Sequence, residues 1–172
     1  MKLMLPFHLH KVGAGFPSPA TDYIEDDIDL NSYLIKNIPS TFLIRVQGKS
    51  MNKVGAGFPS PATDYVEDDI DLNAHLIKNI PSTFLIRVQG KSMNNIGIHD
   101  GDLLVVDRSL NPKNFSTVIA NVNEELVVKS FIKEKDQSFL TSGSKKFKDK
   151  INLTENPEIV IWGVVTYIIH AL

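Results

Sequence analysis

Residues 11–52 and 53–94 carry the same sequence in tandem, 42 residues long and differing only at Ile24/Val66, Ser32/Ala74 and Tyr33/His75. Such a period points first to a solenoid or propeller, but those folds need about three units before neighbours bury a shared core. Only two units are present, and nothing after Asn94 resembles either. The duplication therefore lies inside an ordinary domain. Without one copy the 172-residue chain would be 130 residues long, the size of a single compact domain.

With 42% hydrophobic and 22% charged residues, the chain has a globular composition. A net charge of −2 gives no electrostatic reason to expect broad phosphate binding. The absence of cysteine excludes disulfides, zinc–thiolate sites and cysteine nucleophiles. The opening "MKLMLPFHLH" is too short, and too interrupted by Pro6 and His8, for a signal peptide. The C-terminal run "IVIWGVVTYIIHAL" has 14 residues, short of the ~20 that span a bilayer. Its β-branched and aromatic content reads as a buried strand. A cytoplasmic protein without a membrane segment is expected.

The second half is rich in strand patterns: residues 82–90, 102–108, 116–122, 125–132 and the C-terminal run. The turn formers "HDGD", "NPKN" and "SGSKK" separate them. One helical stretch stands out, "DLNAHLIKN". Asp71 is placed to cap it, Leu72, Leu76 and Ile80 fall on one face, and Pro81 ends it. Its duplicate begins at Asp29. Ahead of each helix, "GAGFPSPATDY" has prolines and glycines that exclude helix and central strand and favour an exposed arm. The expected fold class is mainly β: a flexible arm, a short helix, then a domain of antiparallel strands.

Most candidate sites dissolve on inspection. The acidic run "EDDID" at residues 67–71 lacks the spacing of a calcium loop and reads as solvated turn and helix-start charge. "DGD" at residues 100–102 reads as a hairpin turn. His8 and His10 fall in a terminal tail, His75 and His99 stand isolated, and no Ser-His-Asp arrangement emerges. Neither a metal nor a cofactor is expected. A serine can instead be activated by an uncharged lysine, which requires a lysine whose apolar surroundings disfavour the ammonium. Lys129 fits, because it stands between "LVV" and "SFI" in a core-strand pattern and alternation puts it on one face with Val127 and Phe131. Ser92 follows Gly90 at the end of a strand, where a tight turn can expose a hydroxyl and aim N–H groups at an oxyanion.

"AGFPSPATDYVEDDIDLN", "GKSMNNIGIHDGDLLVVD", "ELVVKSF" and "WGVVTYII" occur in this order from about residue 54 to Leu172. Together they resemble the LexA-like self-cleaving serine peptidases, and within them the UmuD-type branch of the SOS response. The resemblance implies a LexA/UmuD-like peptidase fold and a Ser-Lys dyad of Ser92 and Lys129. It also implies a scissile bond between Ala56 and Gly57, with Ala14 and Gly15 as a secondary cleavage site in copy one. Gly57 precedes Ser92 by 35 residues and Lys129 follows it by 37, the spacings expected of the family. As partners it implies a second copy in a homodimer, a RecA filament on single-stranded DNA as the stimulus for cleavage, and an error-prone UmuC-type polymerase engaged in translesion synthesis. No sequence-specific DNA contact is expected. The implied organisation is an extension at 1–52 with a non-catalytic copy of the arm and first strand, an arm with cleavage site and short helix at 53–81, and a β-rich Ser-Lys core at 82–172.

Ser50 cannot simply duplicate Ser92. The residue 37 positions after it is Arg87, whose guanidinium does not give up its proton to serve as a base. If copy one took the place of copy two in the sheet, the connection to Gly101 would grow from seven residues to 49. Loop closure would then cost about 1.7 kcal/mol more, roughly a twentyfold preference for copy two. Copy one is expected to be a passenger, mobile or paired to a free sheet edge. Two other readings are an interaction module that no longer cleaves and a LexA-like repressor. The latter needs a helix-turn-helix ahead of the cleavage site, and residues 1–52 offer only ten unique residues and a copy of the arm. A signal peptidase, which also pairs serine with lysine, would need a membrane anchor. Ser130 stands where the family often has a second basic residue.

Overall fold

A computed structural model describes residues 5–12, 25–37, 71–142 and 150–172. Its strands are β1 (Leu5–Val12), β2 (Glu25–Ile28), β3 (Thr83–Val88), β4 (Leu103–Asp107), β5 (Thr117–Val122), β6 (Glu125–Glu134), β7 (Gln137–Thr141), β8 (Ile151–Asn152) and β9 (Val160–Ile169). They form one sheet in the order β2-β1-β3-β4-β9-β5-β6-β7-β8. Two five-residue helices, α1 (Leu30–Leu34) and α2 (Leu72–Leu76), come from copy one and copy two.

The sheet is packed on both faces at its centre, and the alternation of side chains shows it. In β4 all five residues are buried. Leu104 and Val106 join a cluster with Ile86, Val88, Met93, Ile98, Ile119, Leu126 and Val128. Leu103 and Val105 point the other way and meet Leu30, Leu72, Ile77 and Leu85. A third cluster gathers Val118, Ala120, Phe131, Leu140 and Val164 at the far end. A strand buried on both faces reads as a continuous apolar run, which is why "DLLVVD" shows no polar alternation. β9 bridges β4 and β5, with a register shift against each, so it carries an extra residue at two points.

Strand pairing beside β4 is made by β3, from copy two, in antiparallel register from Thr83↔Asp107 to Arg87↔Leu103. Three expectations need correction. The opening residues are not a tail, because β1 pairs in parallel with β3, with Phe7↔Leu85 and His8↔Ile86 in register. An edge strand leaves a row of N–H and C=O groups unpaired, and here β1 covers the outer edge of β3. The helical stretch is shorter than its sequence pattern. It stops at Leu76, while Ile80 sits in a separate 3-10 turn and is 40% exposed. Pro81 removes a backbone donor from any continuation, and the chain already leaves the helix at an extended Ile77.

Nor is all of copy one a passenger. Asp29 caps α1 through Asn31 N–H, as Asp71 caps α2 through Asn73 and Ala74, and Leu30 is wholly buried. The expectation for the copy-one strand "STFLIRV" lies outside the described residues. β7 and β8 were not expected from the sequence. "QSFLT" is cut off by charged and turn residues on either side, and its burial comes from pairing with β6.

Candidate active site

Ser92 stands in the connection between β3 and β4. The ladder continues past the strand ends, with Val88 N–H donating to Asp102 O at 2.8 Å and Gly101 N–H donating to Val88 O at 3.0 Å. These bonds pinch off residues 89–100 as a loop. "DGD" is thus a turn, but one that closes the serine loop rather than a two-residue hairpin. Asp100 reaches across it, its carboxylate accepting from Gly90 N–H at 2.7 Å. Gly90 has φ +101°, a left-handed conformation that glycine adopts without cost. Met93 is 2% exposed and anchors the loop in the central core, whereas Ser92 beside it is exposed. A short 3-10 turn at Asn94–Ile96 follows. Among the described residues, the N–H groups of Ser92 and Met93 donate to no acceptor.

The base of this loop rests on a buried carboxylate that sequence reading took for a turn residue. Asp102 is 1% exposed, accepts from His99 N–H at 2.7 Å, and holds His170 Nδ1 at 2.5 Å. His99 is not isolated, because its ring lies beside that of His170 with centroids 5.3 Å apart. His75 remains exposed on α2.

Lys129 is half-buried in β6, opposite Val118 of β5. Val127 and Phe131, on its own face, both pack in the third cluster, which gives the lysine stem the apolar setting its sequence context promised. Its Nζ donates to Ser142 Oγ at 2.9 Å. No hydrogen bond joins it to Ser92. Val128, next to Lys129, shares a cluster with Met93, next to Ser92, but it lies on the face of β6 opposite the lysine. Ser142, 8% exposed, escaped sequence reading. The β6–β7 register pairs Ser130 with Thr141, so one step further places Ser142 opposite Lys129. Only strand pairing could have revealed it. Ala14, Gly15, Ser50, Ala56 and Gly57 lie outside the described residues.

The profile of the peptidase S24-like family matches the chain twice, over residues 6–55 and 52–166. The chain belongs to the peptidase S24-like family. Both copies of the repeat are thus recognised by it, and the second match runs through Ser92 and Lys129. ImpA of Salmonella typhimurium is 44% identical over 167 residues, 96% of this chain and 83% of ImpA. SamA of Salmonella typhimurium strain LT2 is 40% identical over 174 residues, 96% of this chain and 84% of SamA. MucA of Escherichia coli is 37% identical over 163 residues, 95% of this chain and 82% of MucA. The mainly antiparallel sheet with few short helices agrees with the S24 fold expected from the motifs. Among the described residues no helix is long and apolar enough to cross a membrane.

Proposed function

We propose that this chain is a self-cleaving serine peptidase of the UmuD type, cutting its own Ala56–Gly57 bond. The observation that supports it most is the Ser92 loop of an S24-like chain: an exposed serine, a buried Met93 holding it in place, and two adjacent N–H groups that find no acceptor among the described residues. Ser92 Oγ attacks the Ala56 carbonyl while Lys129 takes the hydroxyl proton. The Ser92 and Met93 N–H groups hold the developing oxyanion. The C–N bond then breaks, Lys129 returns the proton to the Gly57 nitrogen, and water hydrolyses the Ala56 ester. The products are an arm and a chain of 116 residues running from Gly57 to Leu172.

Ser142 is the positioning residue in this scheme. Its hydroxyl holds the Lys129 amine at the third cluster until Ser92 and the scissile peptide are docked. Hydrogen bonds of catalytic groups often tighten only once substrate is bound. The same bond favours one second reading, an interaction module that has lost cleavage, in which Lys129 never leaves Ser142.

The larger product serves in the cytoplasm as a dimeric accessory of an error-prone UmuC-type polymerase, and a RecA filament on single-stranded DNA stimulates the cut. Mass spectrometry of the purified chain with and without such filaments tests the reading. It expects a fragment beginning at Gly57. A large fragment that begins elsewhere, or an intact chain under all conditions, removes the cleavage proposal. Ser142→Ala should slow cleavage by about tenfold without changing the cut site, the scale of a lost orienting hydrogen bond.

A further inference from the structure

Asp102 is 1% exposed, so both of its carboxylate oxygens need partners inside the protein. Oδ2 accepts from His99 N–H at 2.7 Å, and Asp102 N–H donates back to His99 O at 3.1 Å, which closes residues 99–102 into a turn. Oδ1 is held by His170 Nδ1 at 2.5 Å. Among the described residues no other group bonds either oxygen. A carboxylate beside Nδ1 selects the ring form that carries a proton there, so the bond forms with the imidazole neutral or charged.

This turn is the closing end of the serine loop. Gly101 N–H donates to Val88 O, and Gly101 O accepts from Arg87 Nη1 at 3.0 Å. Asp100, inside the turn, accepts from Gly90 N–H two residues ahead of Ser92. A run of bonds and short chain segments therefore leads from His170 through Asp102, the turn and Asp100 to Gly90. His170 stands just past β9 with its side chain 46% exposed. It buries little surface of its own, and what it supplies is the bond to Asp102 and a ring beside that of His99.

We infer that His170 is a second positioning residue for self-cleavage, acting through Asp102 to fix the turn on which the Ser92 loop closes. Without a donor at residue 170, Oδ1 becomes a buried acceptor with no partner, a state that costs more than the bond itself contributes. Rotation of the Asp102 side chain relieves it, but takes Oδ2 away from His99 N–H and loosens the turn. Ser92 then samples more positions, and an attack that needs near-contact geometry slows. The inference rests on Ser92 as the nucleophile of the reading above.

Full-length chains with His170→Ala, His170→Phe and His170→Asn separate the donor from the ring. Phenylalanine keeps a ring beside His99 and cannot donate, whereas asparagine offers an amide nitrogen in the place of Nδ1 and no ring. Amide exchange, followed residue by residue by NMR, should quicken about tenfold at His99 and Gly90 in the alanine and phenylalanine chains, the scale of a lost bond to a carboxylate. It should stay near wild type in the asparagine chain, and in β4 and β5 of all three. Formation of the fragment that begins at Gly57 should slow about tenfold in the same two chains and recover with asparagine. If His170→Ala disturbs the sheet, the phenylalanine and asparagine chains carry the comparison. Unchanged exchange at His99 and Gly90 in a folded His170→Phe chain overturns the proposal. So does an asparagine chain that behaves like the phenylalanine one, or a loosened loop with no slowing of cleavage. A wild-type chain that never cuts itself, with exchange as expected, upholds the fastening of the loop and removes only the self-cleavage reading.

Discussion

Residues 29–35 and 71–77 have almost one sequence and take almost one local structure. Each has an aspartate cap, a five-residue helix and an extended isoleucine after it. Their surroundings differ. Copy two continues into β3 and the serine loop, while copy one lies against that unit, with Leu30 at 0% exposure and Leu72 at 8%. Tyr33 meets Arg87, whereas its counterpart His75 faces solvent. Local sequence thus sets the shape of a segment, and its neighbours in space decide what that segment does.

The sharpest way to break the comparison is at the two serines. Ser92→Ala and Lys129→Ala should each lower self-cleavage by about 10²-fold or more, the scale of a lost nucleophile or general base, and Ser50→Ala should leave the rate unchanged. Densitometry of the products over time reads the difference. A block by Ser50→Ala would mean that copy one is the working copy.

Next in size are the two leucines. Leu30→Ala should cost about 2–4 kcal/mol, like other truncations of buried leucine, and Leu72→Ala a similar or slightly smaller amount. Denaturant unfolding measures both. If Leu30→Ala is neutral, α1 does not contribute to the folded core and the comparison fails. Tyr33→Phe should remove about 1 kcal/mol, because it takes the acceptor from a charged donor that water partly replaces. His75→Phe has no such bond to lose and should be close to neutral.

The smallest effect is that of acid on the clasp between the copies. In it Leu30 N–H donates to Asn73 Oδ1 and Leu72 N–H to Asn31 Oδ1, while Asn31 Nδ2 donates to Asp71 Oδ1 and Asn73 Nδ2 to Asp29 Oδ1. The Ser32 hydroxyl, then the Asn73 amide, holds the Asp29 carboxyl below its ordinary range. For Asp71 the Asn31 amide, then the Ala74 N–H, does the same, against the opposing effects of desolvation and, last, of the Asp29 charge. Both groups bind protons less readily folded than unfolded. Their contribution is therefore complete above the ordinary carboxylate value and fades as pH falls through the lower folded values. Amide exchange at Leu30 and Leu72 should quicken together as pH is lowered through that window, after correction for intrinsic rates. Quickening at one alone would mean that the bonds are not reciprocal.

The sequence by itself determined the elements whose signals are local. β3, β4, β5, β6 and β9 carry β-branched runs between turn formers, and the aspartates at 29 and 71 announce their helices through a side chain two residues from the N–H it accepts. It also singled out Ser92 and Lys129, because a glycine turn after a strand and a lysine inside an apolar run are visible in one dimension. Tertiary structure alone decided the rest. "LPFHLHKV" becomes a strand because β3 has an edge to fill, and Ser142 meets Lys129 through the register of β6 and β7. Asp102, which looks like any turn aspartate, is buried with His170 brought to its carboxylate from 68 positions away, beside the local bond from the His99 N–H. The clasp between the copies is of the same kind. Each "DLN" specifies its own cap, but an asparagine amide can bond a second helix end only when another such end is brought to it. Propensity and capping act over a few residues, whereas the bonds between the copies join groups 40 and more positions apart, and only the folded sheet brings them within reach.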